Sequence, residues 1–328
     1  MERKSPVNVF RGAGLTVLFF FVFEGIALAG LAVSPLMQTI EVKPGKKASF
    51  SINLSNNKRS EDTAPCPVKI EILDFKVLDR GQLSFGPEYK HQRSAAGWIS
   101  TDSNQIVLMP GESKEVQFTV NAPIDADGDY WAAAMISIGD ANKDEKGVKV
   151  KFRTASGIFI RVARRTYNER GTITDINVGM PVFDTAPVKE NISETEKYRL
   201  KEKQALKIEA KLQNEGLVEI LARGKALIYN EDWKRVATIP LYSSRRQVLP
   251  GDSRWFTGIM SEPLPAGNYK VRINFSPDVK FRRKITKDFE FTISSDLANI
   301  WAKNASDDSR TPKLAFEPQQ INLKLNPG

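Results

Sequence analysis

The chain is poor in the residues that build covalent staples and metal centres. Its 328 residues include one cysteine, Cys66, and one histidine, His91. No internal disulfide can form, and zinc sites that need two Cys or two His are excluded. A Ser-His-Asp or Cys-His triad would have to use His91. That residue lies in Tyr89-Lys90-His91-Gln92-Arg93, a charged stretch that reads as a solvated loop. Phosphate loops, dinucleotide fingerprints and nucleic-acid modules are also missing. Asp125-Ala126-Asp127-Gly128-Asp129 has the look of a calcium loop, but the sixth and twelfth positions are Tyr130 and Ile136 where Gly and Glu are needed. The expectation is a non-catalytic protein with no cofactor and no metal.

Long hydrophobic runs are missing as well. The best is the nine-residue stretch Leu15 to Phe23, well short of the ~20 residues that span a bilayer. Arg3, Lys4 and Arg11 precede it, and Glu24 and then Ala27-Leu28-Ala29-Gly30 follow. A basic start, an apolar run and a small-x-small site form the layout of a secretory leader. Residues 1–29 are therefore expected to be a signal peptide, with an uncleaved anchor as the alternative. The mature protein is expected in the periplasm or secreted, with no membrane span after cleavage.

Acidic residues are outnumbered: 48 Lys and Arg stand against 39 Asp and Glu, a net charge of +9. The basic residues are scattered rather than clustered, so nucleic acid is not the expected partner. An acidic wall polymer is one candidate.

Helical periodicity is scarce, and its best window, Glu194 to Ala205, is short and charged. Period-two alternation dominates. Phe50, Ile52 and Leu54 alternate with polar residues, as do Val68, Ile70 and Ile72; Val116, Phe118 and Val120; and Val148, Val150 and Phe152. Ile158, Ile160 and Val162 continue the last of these after Ala155-Ser156-Gly157. The second half repeats the pattern at Leu206 to Leu212, Tyr269 to Phe275 and Phe289 to Ile293. This is the signature of half-buried antiparallel strands.

An internal repeat organises them. Leu108-Met109-Pro110-Gly111-Glu112-Ser113 returns as Val248-Leu249-Pro250-Gly251-Asp252-Ser253, and Gly128-Asp129-Tyr130 returns as Gly267-Asn268-Tyr269. Upstream, Leu54-Ser55-Asn56 corresponds to Leu212-Gln213-Asn214, and the first copy carries an insertion around Arg80 to Gly97. A Pro-Gly turn into a strand, followed by a Gly-x-Tyr corner, fits a sandwich in which the Tyr hydroxyl returns to the backbone. The fold class is thus all-β: two tandem immunoglobulin-like β-sandwich domains after a signal peptide. The expected boundaries are 30–165 and 166–295, with a hinge at Ala163 to Gly171, a loop from Asp184 to Lys203, and a flexible C-terminal tail over 296–328.

The first half resembles the first domain of periplasmic pilus chaperones, the PapD-like family. The residues that carry the likeness are Leu31 to Pro35, Val42-Lys43-Pro44-Gly45, Leu54 to Asn57, Leu108 to Ser113, Tyr130 to Ile138 and Val148 to Val162. The second half is similar to an immunoglobulin or fibronectin type III module. The resemblance implies capture of another exported or surface protein by β-strand addition through the last strand of domain one. The implied partner-binding residues are Val148, Val150, Phe152, Ile158 and Ile160. The alternative is that these apolar residues form the core face of an internal strand. The family also anchors a carboxylate with basic residues between the domains, for which the last strand offers Arg153, Arg161 and Arg164. The first strand, Leu31 to Ile40, has no Lys or Arg, which departs from that pattern. A second function class, a structural or adhesive envelope module that binds a wall polymer, stays open beside this one.

Overall fold

The structure is a computed structural model that describes residues 30–57, 65–86, 91–138, 153–164, 170–183, 193–277 and 284–305. The first eleven strands are β1 (Leu31–Ser34), β2 (Met37–Val42), β3 (Lys47–Asn56), β4 (Cys66–Leu73), β5 (Phe75–Val77), β6 (Leu83–Phe85), β7 (Ile99–Thr101), β8 (Gln105–Leu108), β9 (Ser113–Asn121), β10 (Gly128–Ile138) and β11 (Arg153–Val162). They form a sheet ordered β1-β3-β9-β7, a facing sheet ordered β2-β11-β10-β4-β8, and a separate β5-β6 hairpin. The alternating residues meet between the two large sheets. Ile52, Leu54, Phe118 and Val120 come from one, and Ile70, Ile136, Ile158 and Ile160 from the other. Phe50 and Phe118 are cross-strand partners with rings stacked at 5.1 Å. Such pairs fix sheet register.

The remaining strands are β12 (Gly171–Gly179), β13 (Leu206–Asn214), β14 (Ile220–Tyr229), β15 (Arg235–Leu241), β16 (Gln247–Val248), β17 (Ser253–Met260), β18 (Gly267–Pro277) and β19 (Ile285–Ile293). A sheet ordered β12-β13-β17 faces one ordered β15-β14-β18-β19, and β16 pairs with the start of β14. Their core is independent of the first and centres on Leu206, Ile208, Ile228, Phe256, Ile273 and Phe275. The chain therefore builds two β-sandwiches in tandem, as the alternation implies.

Both copies of the repeat are built alike. Gly111 and Gly251 take φ of +78° and +84°, a backbone region that glycine enters without a Cβ clash. The N–H of each donates to the carbonyl of a buried asparagine: Gly111 to Asn56 at 2.7 Å and Gly251 to Asn214 at 3.0 Å. The asparagine side chains donate back, Asn56 to Leu108 O at 3.2 Å and Asn214 to Val248 O at 2.8 Å. The corners differ in detail. Tyr269 Oη donates to Pro265 O at 2.7 Å, whereas Tyr130 Oη accepts from Asp127 N at 3.3 Å.

Two expectations are corrected by helices. Within the stretch read as a loop, Glu194–Lys203 forms α1, over the window that carried the best helical period in the sequence. The segment read as a tail from residue 296 begins with α2, Ser295–Ala305. Ser294 Oγ caps α2 by accepting from Leu297 N at 3.3 Å. Trp301 is buried on the second core, and its Nε1 donates to Ser261 O at 3.1 Å. A buried indole with a satisfied N–H fastens the helix to the domain. The rest of that segment, residues 306–328, lies outside the described residues, as do residues 1–29, the stretch expected to be a signal peptide.

Candidate functional site

The last strand of the first sandwich, β11, lies between β10 and β2 for only part of its length. β10 pairs with it from Arg153 to Val162, but β2 covers only Gly157 to Val162, in parallel. Gly157 N–H donates to Leu36 O at 2.9 Å, and Ala163 N–H donates to Val42 O at 3.2 Å. Odd-numbered residues of β11 thus turn their backbone groups toward β2. By the two-residue period of a strand, Ala155 and Arg153 point theirs the same way. Among the described residues, no strand pairs with that edge ahead of Gly157.

Two large apolar side chains flank this open edge. Leu36 and Met37, where β2 begins, are each 56% exposed. The Met37 side chain lies beside Gly157, and Ser156 Oγ ties the two segments by donating to Pro35 O at 2.7 Å. Arg153 sits at the far end of the edge, with Nη2 3.7 Å from Glu71 Oε2. Exposed apolar residues beside unpaired backbone are the ingredients of strand addition. Neither Leu36 nor Met37 was singled out from the sequence. The available signal was an apolar pair directly after a strand-breaking proline.

The residues expected to bind a partner fall into two groups. Val148, Val150 and Phe152 lie outside the described residues. Ile158 and Ile160 are fully buried, pointing into the core of their own sandwich. They serve as the core face of an internal strand, the alternative stated for them above, because β2 and β10 flank that part of β11 and this face packs on the sheet of β3 and β9.

The three arginines are not gathered into one anion site. Arg153 and Arg161 sit near opposite ends of β11. Arg161 is held by carboxylates: its Nε and Nη2 donate to Asp129 Oδ1 and Oδ2 at 2.7 Å each, and Glu219 Oε1 is 3.7 Å away. The hydrogen bonds to Asp129 hold the guanidinium well above its usual range despite partial burial, with added support from the charges of Asp129, Glu219 and Glu41. Arg164 donates to the carbonyls of Ala126 and Ile124, tying down the crossover before β10.

Around Arg161 the two domains meet directly. Asp129 N donates to Leu217 O at 2.7 Å, and Glu219 N donates to Asp129 Oδ2 at 2.7 Å. Gly128, with φ +86°, leaves room for Leu217 O, which a Cβ would strike. Leu249 of the second Pro-Gly turn inserts among Phe75, Val77, Trp131 and Phe159 of the first domain. The expected hinge is therefore accompanied by a packed, hydrogen-bonded interface.

Beside it lies a cavity of about 390 Å³ between Lys76, His91, Trp131, Gly216, Pro250 and Asp252. His91 is stacked on Trp131 at 4.4 Å, not solvated as the sequence implied. Its Nδ1 accepts from Arg93 N at 3.2 Å, and burial lowers its pKa against the opposing charge of Asp74. Burial raises Asp252 to about 6 although Arg254 and Lys76 pull the other way. Among the described residues, no helix is long and apolar enough to cross a membrane.

No protein-family model and no curated protein matches the sequence. Among solved structures, the chain is similar to the class 5 fimbriae chaperone CfaA at 10% identity, over 79% of this chain and 98% of that one, with a TM-score of 0.40. It is similar to the E. coli chaperone DraB at 12% identity, over 80% and 97% of the two chains, with a TM-score of 0.36. It is also similar to a chain from the structure of the Salmonella enterica SafA pilin in complex with the SafB chaperone, at 11% identity over 82% and 99%, with a TM-score of 0.37.

Proposed function

We propose that this chain is an exported, non-catalytic, chaperone-like protein that captures another exported or surface protein by β-strand pairing. The pairing edge is Arg153 to Ser156 of β11, continued by the alternating Val148, Val150 and Phe152 that precede it in sequence. The observation that carries this reading is the uncovered side of β11 ahead of Gly157, flanked by exposed Leu36 and Met37. An added strand would satisfy the outward backbone groups of Arg153 and Ala155 and rest its side chains on Leu36 and Met37. The periplasm or the cell exterior is the proposed location, in line with the leader-like start of the sequence.

The test compares partner capture from the cell envelope by the wild type, Ala155→Pro and Met37→Asp, with Val236→Asp on β15 as a control. Proline at 155 removes an N–H that faces the open side and is not needed by β10. Capture is expected to fall about tenfold or more in both Ala155→Pro and Met37→Asp, at unchanged circular dichroism, the first by losing one or two backbone hydrogen bonds and the second by losing apolar contact with the added strand. Full capture by a folded Ala155→Pro variant would reject strand addition at this edge.

A further inference from the structure

The insertion read around Arg80 to Gly97 in the first copy of the repeat overlaps the tip and second strand of the β5-β6 hairpin, and this hairpin reaches across to the second domain. Its base belongs to domain one. Phe75 is buried edge-on against Phe159 at 5.9 Å, and its carbonyl accepts from Trp131 Nε1 at 3.1 Å. Its tip closes tightly, with Gly81 N donating to Leu78 O at 2.8 Å and Gly81 at φ +94°.

Three consecutive carbonyls of the tip accept from domain two. Leu78 O accepts from Arg254 Nη1, Asp79 O from Trp255 N at 2.8 Å, and Arg80 O from Ser244 Oγ at 2.8 Å. The side chains add to this. Arg80 Nη1 donates to Glu209 Oε1 at 2.7 Å and the guanidinium lies 5.1 Å from the Trp255 ring centre, while Asp79 Oδ2 is 3.6 Å from Lys211 Nζ. A Cβ at Gly81 would strike Ser244 Oγ, so the tip is fitted to the surface it meets.

Domain two depends on these contacts. Glu209 and Arg254 are buried in its three-stranded sheet, and each takes a partner from the hairpin. Burial pushes Glu209 up, but the Arg80 hydrogen bond, Lys207 and Thr257 more than offset it and hold the carboxyl below its usual range. The edge of β17 opposite β13 is closed at Trp255 by Asp79 and at Thr257 by Tyr242.

We propose that the β5-β6 hairpin is an interdomain clasp: it fixes the orientation of the two sandwiches, completes the β13-β17 sheet of domain two, and joins both domains into one cooperative folding unit. This is independent of partner capture at β11. The direct test replaces residues 78–82 of the full chain with a two-residue Asn-Gly turn, and a second variant, Arg80→Ala, leaves the turn intact. Hydrogen exchange at the Trp255 amide, small-angle scattering and calorimetric unfolding are then measured. Trp255 protection is expected to fall about tenfold or more as its opening becomes local. The radius of gyration should grow, and the single unfolding transition should split in two. Unchanged Trp255 protection together with one unfolding transition in the shortened hairpin would overturn the clasp. If that variant does not fold, an Arg80→Ala variant whose radius of gyration and unfolding profile match the wild type overturns it, because Arg80 supplies the hairpin's side-chain partner to buried Glu209.

Discussion

Equivalent strands in the two sandwiches share an inner face and differ on the outer one. In domain one, Trp131 of β10 stands opposite Phe159 of β11, and Ala133 opposite Gly157. In domain two the matching positions pair Lys270 with Glu290 and Arg272 with Asp288. The second set forms ion pairs at 3.8 and 2.7 Å. The apolar set is covered by the hairpin and by Leu249. The Pro-Gly turns show the converse difference: Leu249 is 1% exposed, and its counterpart Met109 is 52% exposed. The two copies thus stack head to tail. The Gly-x-Tyr corner of the first copy meets the segment between β13 and β14 of the second at Leu217 and Glu219, and the second Pro-Gly turn seats Leu249 on the outer face beside it. The inner faces make a sandwich of each copy, and the outer faces decide which copy can receive a neighbour.

The largest expected break in this comparison comes from the corners. Asp129→Ala strands Arg161 and the Glu219 amide at the interface, and denaturant unfolding should show a loss of ~3–5 kcal/mol. Asn268→Ala, at the exposed second corner, should stay within ~0.5 kcal/mol of wild type. Equal losses would mean that the two corners carry the same load.

The turns give a somewhat smaller contrast. Leu249→Ala should cost ~2–5 kcal/mol by opening a cavity among Phe75, Trp131 and Phe159, while Met109→Ala should cost no more than ~0.5 kcal/mol. A matching pair of melting temperatures would show that Leu249 does not hold the interface.

The smallest effect is a pH dependence confined to the second turn. Asp252 is raised to about 6 by burial, so the native state favours its protonated form. The stability associated with this group is full below pH 4 and lost as the pH rises through about 6. Asp252→Asn should remove that part of the slope between pH 4 and 7, and Glu112→Gln on the first turn serves as the control. An unaltered slope in Asp252→Asn would place the titration elsewhere.

Much of this was legible in the chain. Alternation at Phe50 to Leu54 and Leu206 to Leu212 marks strands with one buried face, because side chains alternate across a sheet. The match of Asn56 with Asn214 is visible in sequence, and both prove to hold a Pro-Gly turn. Other features were hidden for definable reasons. β10 carries Trp131-Ala-Ala-Ala-Met135, which shows no alternation because both its faces are covered. Asp79-Arg80-Gly81 reads only as a turn, since its partners lie more than 120 residues later. α2 could have been found from Leu297, Ala298, Trp301 and Ala302, a helical stripe that the polar residues between them obscure.

The candidate edge divides in the same way. The apolar alternation along β11 pointed to this strand, but alternation cannot tell an edge from an interior. Only the parallel pairing of β2, which stops at Gly157, separates the enclosed Ile158 and Ile160 from Arg153 to Ser156, where no other described strand pairs on that side.

Local chemistry alone determined that this chain would form two all-β sandwiches joined by paired turns and corners, since periodicity, glycine and proline act over a few residues. The tertiary structure decided which surfaces those sandwiches leave free. Whether a face is covered, an arginine is paired or an edge stays open depends on segments distant in sequence, and a side chain's own neighbours carry no record of them.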